Sequence, residues 1–139
     1  MADGQIRYDP VAVATFRKIW GQDFLPPFPR LPETSEAMAS ISAAQGAVLS
    51  DRTLDLKTRA VIVFSTLVAL GMQPEAKLYM QGLRNLGYSV REVAEMIAQV
   101  ALYAGIPRGI DANMLLREVV DEDEERAGAD GFFYRFPQH

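Results

Sequence analysis

The segment from Leu56 to Leu70 constrains the fold of this chain more than any other stretch of its sequence. An aspartate, Asp55, stands where a helix N-cap is expected, directly before the segment. The apolar side chains that follow cover most of a helix circumference: Val61, Ile62, Val63, Phe64, Leu67 and Val68. A helix that is apolar all round is expected to be buried all round. The sequence therefore predicts a helix that is central to the domain or shared between subunits.

Two further helices are predicted before this segment. Asp9-Pro10 is a helix opening, and the helix is expected to run to Gly21. The stretch Phe24–Pro32 holds four prolines, which makes it a non-helical apolar arm. A helix rich in small residues is predicted from about Glu33 to Val48. Its expected buried positions are Met38, Ile41, Val48 and Leu49.

Three helices are predicted after it. A turn at Gly71–Pro74 starts a helix that Gly87 closes. A capping box at Ser89–Glu92 opens the next helix, and a break at Gly105–Pro107 separates it from a last helix that runs to Val119. Because no stretch alternates between apolar and polar residues at period two, the predicted class is all-α.

The chain of 139 residues, 49% of them hydrophobic, fits one domain with its own core. Within this domain we predict an N-terminal helix and arm (1–32), a helical core (33–120) and an acidic and aromatic tail (121–139). The acidic run Asp121–Glu125 is expected to be a solvated helix end. Four aromatic residues in the five from Phe132 to Phe136 favour docking of the tail onto protein, such as another protomer.

Composition excludes several kinds of function. A net charge of −4 argues against nucleic-acid binding. The chain has no cysteine, and its one histidine is His139, so thiol chemistry and metal sites built from cysteine or histidine are not expected. We predict neither a metal nor a cofactor.

The sequence also carries no sign of export or membrane insertion. Its first residues contain no apolar stretch of signal-peptide length. The longest uncharged run, Ala60 to Pro74, is shorter than the roughly 18–20 residues that span a bilayer. We therefore expect a soluble, cytoplasmic protein without a membrane partner.

Four pieces of the sequence carry a resemblance to a known family. They are Leu54–Arg59, Gly71–Glu75, the set Gly82, Asn85 and Gly87, and the stretch Glu92–Pro107. In their order and spacing they resemble the carboxymuconolactone decarboxylase family of the AhpD-like superfamily. The resemblance implies an AhpD-like helical bundle that assembles as a homo-oligomer, trimer or hexamer. It also implies a small-molecule substrate and cofactor-free chemistry.

The chain departs from the superfamily pattern at its reactive positions. Tyr79 stands where the superfamily has a histidine, and Ala60 stands where an acidic residue often occurs. The two positions of the peroxidase branch's Cys-x-x-Cys fall on Met72 and Glu75. Thiol peroxidase activity is therefore not expected of this chain.

The resemblance identifies Glu75 and Tyr79 as a candidate catalytic acid/base pair. They are four residues apart and share a helix face. A tyrosine, with an ordinary pKa of about 10, donates a proton or hydrogen bond more readily than it accepts one. The alternative is that Glu75 interacts with the helix N-terminus and Tyr79 packs amphipathically.

Four further residues are candidates for substrate binding. Lys57 and Arg59 are suited to hold a substrate carboxylate, or else to form a structural ion pair that offsets their position at a helix N-terminus. Arg84 is a second candidate anion holder, with a solvated surface role as its alternative. Tyr103 either points its hydroxyl into a cavity or caps the core.

Taken with the resemblance, these residues predict decarboxylation, with proton transfer, of a small organic acid, lactone or polyketide-like compound. An isomerase or cyclase that uses the same pocket is one alternative, and a non-catalytic oligomeric binding or scaffold protein is another. An enclosed, partly polar cavity at a subunit interface near Tyr79 would favour an enzyme. A pocket filled by Phe64 or Met72 would favour a scaffold.

Overall fold

The computed structural model describes residues 9–22, 24 and 35–130, which contain six α-helices. The helices are α1 (Pro10–Trp20), α2 (Ser35–Leu49), α3 (Leu56–Leu70), α4 (Gln73–Asn85), α5 (Val90–Ala104) and α6 (Ile106–Asp130). These ranges include no strand, so the predicted all-α class is confirmed. The aromatic segment 132–136 and the arm after Phe24 lie outside the described residues.

Side-chain caps fix the starts of three helices where the sequence predicts them. The carboxylate of Asp9 accepts a hydrogen bond from the backbone N–H of Ala12 (3.0 Å), and that of Asp55 accepts one from Thr58 (2.7 Å). At α5 the capping box is complete: Ser89 Oγ accepts the N–H of Glu92, and a Glu92 carboxylate oxygen accepts the N–H of Ser89, each at 3.0 Å. Local sequence therefore determines these boundaries.

Two clusters of buried apolar side chains hold the helices together. The larger joins α3, α4, α5 and α6, and its fully buried members include Phe64, Met80, Leu83, Ile97 and Val119. The smaller lies where α1 packs against α2 and α4, around Phe16, Ile19 and Trp20. Tyr79 contacts both clusters, so the central turn of α4 links the two parts of the core.

α3 is buried on only one face. Ala60, Phe64 and Val68 are buried, whereas Ile62 and Leu70 are 50% and 62% exposed. The prediction of burial all round is therefore wrong within a single chain. The buried residues recur every four positions, so they form the one side of the helix that α4, α5 and α6 can cover.

α2 packs through small residues and through Leu49, whose predicted burial is confirmed. Ser42, Gly46 and Leu49 are buried, whereas Ile41 and Val48 are exposed, which contradicts their predicted burial. A Cβ on Gly46 would lie 2.7 Å from the backbone of Ala12, so the close approach of α1 selects this face. The side chain of Met38 is outside the described part of the molecule.

α6 continues through the acidic run to Asp130 and does not end at Val119. Glu122 accepts a hydrogen bond from Lys77 Nζ at 2.7 Å, and the buried Asp123 accepts one from Arg84 Nε at 3.0 Å. The prediction of a solvated helix end is therefore wrong for Glu122 and Asp123, which fasten α6 to α4. α6 also crosses the predicted boundary at residue 120.

None of the helices in the described ranges is both long enough and apolar enough to cross a membrane.

Candidate functional site

Tyr79 lies under the indole of Trp20. The two rings meet edge to face with their centroids 4.8 Å apart, and Trp20 is held there by a hydrogen bond from Nε1 to the carbonyl of Leu78 at 2.8 Å. Among the described residues the Tyr79 hydroxyl has no hydrogen-bond partner. Burial raises the pKa of Tyr79 to about 12. The phenol is therefore neutral at physiological pH, so it is able to donate a hydrogen bond but is not available as a phenolate base.

Glu75 is exposed in the first turn of α4, and no hydrogen bond joins it to Tyr79. Neither of the two best-defined cavities in the described residues is lined by Tyr79. Phe64 is fully buried and Met72 is 45% exposed. The assignment of Glu75 and Tyr79 as a catalytic pair stays a prediction.

Arg59 and Lys57 both have partners within the chain. Arg59 Nε donates to the carbonyls of Asp51 and Leu54, each at 3.2 Å, and its Nη2 lies 3.3 Å from a carboxylate oxygen of Asp51. Arg59 therefore forms the structural ion pair that was the alternative to substrate binding, with Asp51 as its partner. Lys57 Nζ lies 4.8 Å from the centroid of the Tyr88 ring, a cation–π contact.

Arg84 and Tyr103, the other two candidates for substrate binding, differ in their surroundings. Arg84 donates to Asp123 on α6 and, at 2.7 Å, to the carbonyl of Tyr88, so its guanidinium is not a solvated surface group. Tyr103 is 85% exposed in the last turn of α5 and lines neither cavity. Within the single chain it neither enters a cavity nor caps the core.

An open groove of about 540 Å³ runs between α3 and α5. We call it the α3–α5 groove, and its lining residues are Val61, Ser65, Ser89, Arg91, Glu92, Glu95, Met96, Gln99 and Val100. Its volume is in the range that suits a small organic ligand. Two rows of α5 residues face the groove, each with four-residue spacing. One row is polar (Arg91, Glu95, Gln99), and the other begins with Glu92 and continues with Met96 and Val100.

The charged groups of the groove differ in their availability. Glu92 is held by the capping box, and its hydrogen bonds with Ser89 lower the pKa of its carboxyl group. Among the described residues, neither Arg91 nor Glu95 forms a hydrogen bond or an ion pair. Arg91 and Glu95 are therefore the charged side chains that a ligand in the groove would meet.

No binding role is predicted from the sequence for Arg91, Glu95 or Gln99. The detectable signal is the spacing of Arg91, Glu95 and Gln99, which places one polar row beside the apolar stripe of α5. The opposite wall, formed by Val61 and Ser65 of α3, depends on helix packing and has no local signal.

Comparison with known proteins identifies the class to which this helical domain belongs. The sequence profile of the carboxymuconolactone decarboxylase family matches residues 35–118, which include the whole of α2 to α5 and the first half of α6. The chain therefore belongs to this family. The match covers both walls of the α3–α5 groove and the position of Tyr79.

Two relatives are similar to parts of the chain. A 4-carboxymuconolactone decarboxylase of Acinetobacter baylyi is 33% identical over 76 residues, which are 55% of this chain and 57% of that protein. An uncharacterized protein of Methanocaldococcus jannaschii is 29% identical over 91 residues, which are 66% of this chain and 82% of that protein. The match thus spans little more than half the length of the Acinetobacter relative. No solved structure matches the chain at a significant level.

Proposed function

We propose that this chain is a cofactor-free, decarboxylase-like enzyme that acts on a small organic acid held in the α3–α5 groove. The observation that carries the proposal is the meeting, in one space of about 540 Å³, of an unpaired guanidinium, an unpaired carboxyl group and an apolar wall. Membership of the carboxymuconolactone decarboxylase family and the similarity to a named decarboxylase support this reaction class.

In this proposal Arg91 pairs with the substrate carboxylate, and Val61, Met96 and Val100 accommodate the apolar body. Decarboxylation breaks the bond between the carboxylate carbon and its neighbour and releases CO2. The electron pair stays on the substrate carbon and is delocalised into a carbonyl group of the substrate itself. A proton then returns to that carbon from a water molecule, which the carboxylate of Glu95, one turn along the same helix face, is placed to orient.

A second candidate is a family member that binds a small organic acid without transforming it. The observation in its favour concerns Tyr79, which stands at the superfamily's histidine position. Its ring packs edge to face against the indole of Trp20. Isomerisation or cyclisation with Tyr79 as hydrogen-bond donor would require the substrate to reach the phenol hydroxyl. Because the ring of Tyr79 is in contact with Trp20, isomerisation or cyclisation has less support than the other two functions.

The test is CO2 release from 4-carboxymuconolactone, the compound in the name of the Acinetobacter relative, and from a panel of small lactone and keto acids. We expect release by the purified chain and at least about tenfold lower activity in Arg91→Ala, since a charge-assisted pair contributes about 1.5–3 kcal/mol. Arg52→Ala, an exposed arginine in the loop before α3, is the matched control and should retain full activity.

The outcomes separate the two candidates. Saturable binding that depends on Arg91 but yields no CO2 contradicts the enzyme and supports the binding protein. If turnover or binding is equal in Arg91→Ala and the wild-type chain, the α3–α5 groove is not the substrate-binding site.

A further inference from the structure

The α3–α5 groove has two chemically different ends. The starts of both helices meet at one of them, because Lys57 Nζ of α3 lies 4.8 Å from the centroid of the Tyr88 ring, two residues before α5 begins. Arg91, in the first turn of α5, lines the groove at this end. The carboxylate of Glu92 is here too, but it accepts the backbone N–H of Ser89. We call this the cationic end.

The opposite end of the groove carries no charge. Ser65 is eight residues beyond Lys57 on α3, and Gln99 is eight residues beyond Arg91 on α5. Neither side chain forms a hydrogen bond with another of the described residues. A hydroxyl and an amide are thus free to donate to a ligand or to accept from it. We call this the neutral end.

The distance between the two ends sets the length of a ligand that reaches both. Eight residues of α-helix rise about 12 Å, and the side chains of Arg91 and Gln99 lean in the same direction along α5, so they keep about this separation. An extended chain advances at most about 1.2 Å per bond, so about ten bonds are needed. The wall between the ends is apolar, with Val61, Met96 and Val100.

Resting on the proposed function, we propose that the groove selects an elongated monocarboxylic acid with a neutral hydroxyl or carbonyl group about ten bonds from its carboxylate. Arg91 pairs with the carboxylate, and Gln99 and Ser65 bind the distal group. Glu95 lies midway between Arg91 and Gln99 on the same row. Its negative charge disfavours a second carboxylate beyond Arg91, which is why the distal group is neutral. Gln99 is therefore a specificity-determining residue.

The experiment measures, by calorimetry, how much a distal hydroxyl improves binding. The probes are decanoate and 10-hydroxydecanoate, whose hydroxyl is ten bonds from the carboxylate carbon, and the short pair hexanoate and 6-hydroxyhexanoate. For the long pair, the ratio of the dissociation constant of the plain acid to that of the hydroxy acid should fall about fivefold in Gln99→Leu, as expected for one neutral hydrogen bond. For the short pair, whose hydroxyl reaches only about halfway, the ratio should not change.

Two further variants sharpen the test. Gln45→Leu makes the same substitution at an exposed position of α2 outside the groove, so it should leave both ratios as in the wild-type chain. Ser65→Ala removes the second polar group of the neutral end and should lower the ratio of the long pair in the same direction as Gln99→Leu. Circular dichroism verifies that each variant keeps the helical content of the wild-type chain.

The results separate this proposal from the function on which it rests. An unchanged ratio for the long pair in both Gln99→Leu and Ser65→Ala, or an equal fall for the short pair, overturns the selection of an elongated acid. If the same acids still bind in a way that depends on Arg91, the proposed function stands without it. If their binding is unaffected by Arg91→Ala, both are overturned.

Discussion

Packing of Tyr79 against both core clusters determines what its phenol is able to do, and one neighbour there, Trp20, is fixed by its hydrogen bond to the carbonyl of Leu78. The resulting pKa of about 12 leaves Tyr79 neutral in any physiological condition. The residue thus behaves as part of the core. In the groove, by contrast, Arg91 and Glu95 carry charge without a partner among the described residues.

Tyr79→Phe tests this view of the residue. We expect the variant to keep the ligand binding and turnover of the wild-type chain, and to change the free energy of unfolding at pH 7 by less than about 1 kcal/mol, because the hydroxyl leaves no partner behind. A large loss of turnover with unchanged stability would instead support the catalytic role predicted from the sequence.

The same substitution has a pH signature. The pKa of Tyr79 is raised by folding, so its contribution to stability is complete below pH 10 and is lost as the pH rises toward 12. Urea unfolding between pH 9 and pH 12 should therefore show a steeper loss of stability in the wild-type chain than in Tyr79→Phe. Equal slopes would contradict the burial of this phenol.

At the scale of the helices, close contacts depend on glycines as much as on large apolar residues. Gly46 lets α2 approach the backbone of Ala12, and Gly82 accommodates Ile19 and Trp20 of α1. Hydrophobic patterning cannot reveal such contacts, because the side chain that matters is absent. The exposure of Ile41 and Val48 follows from the same packing.

Gly46→Ala should destabilise the chain by about 1–3 kcal/mol, since the new Cβ would meet backbone atoms of Ala12 that cannot rotate away. Gln45→Ala, at an exposed position of the same helix, controls for helix propensity and should be close to neutral. The measurement is urea unfolding followed by circular dichroism. A Gly46→Ala variant as stable as Gln45→Ala would show that α1 and α2 do not approach so closely.

The sequence predicts the starts of helices better than it predicts how far they extend or what they pack against. The N-caps at Asp9, Asp55 and Ser89 are local devices of three or four residues, and their predictions are confirmed. The C-terminal end of α6 depends on ion pairs with residues about 40 positions away, such as Arg84 with Asp123, so it is not readable locally. The same holds for the α3–α5 groove, whose two walls are distant in the sequence.

At the scale of the whole molecule, a single chain leaves large apolar side chains of several helices exposed. Ile62 and Leu70 of α3 are half or more exposed, and so are Leu102, Ile106 and Met114 where α5 turns into α6.

The central claim, that a small organic acid binds in the α3–α5 groove, is tested most directly by titration with benzoate. Calorimetry follows binding, and the fluorescence of Trp20, the single tryptophan, reports on the surroundings of Tyr79. We predict saturable heat that is lost in Arg91→Ala and retained in Arg52→Ala, with little change in Trp20 emission. Binding that quenches the fluorescence of Trp20 and is unaffected by Arg91→Ala would contradict this claim. It would indicate that the ligand binds beside Tyr79 and not in the α3–α5 groove.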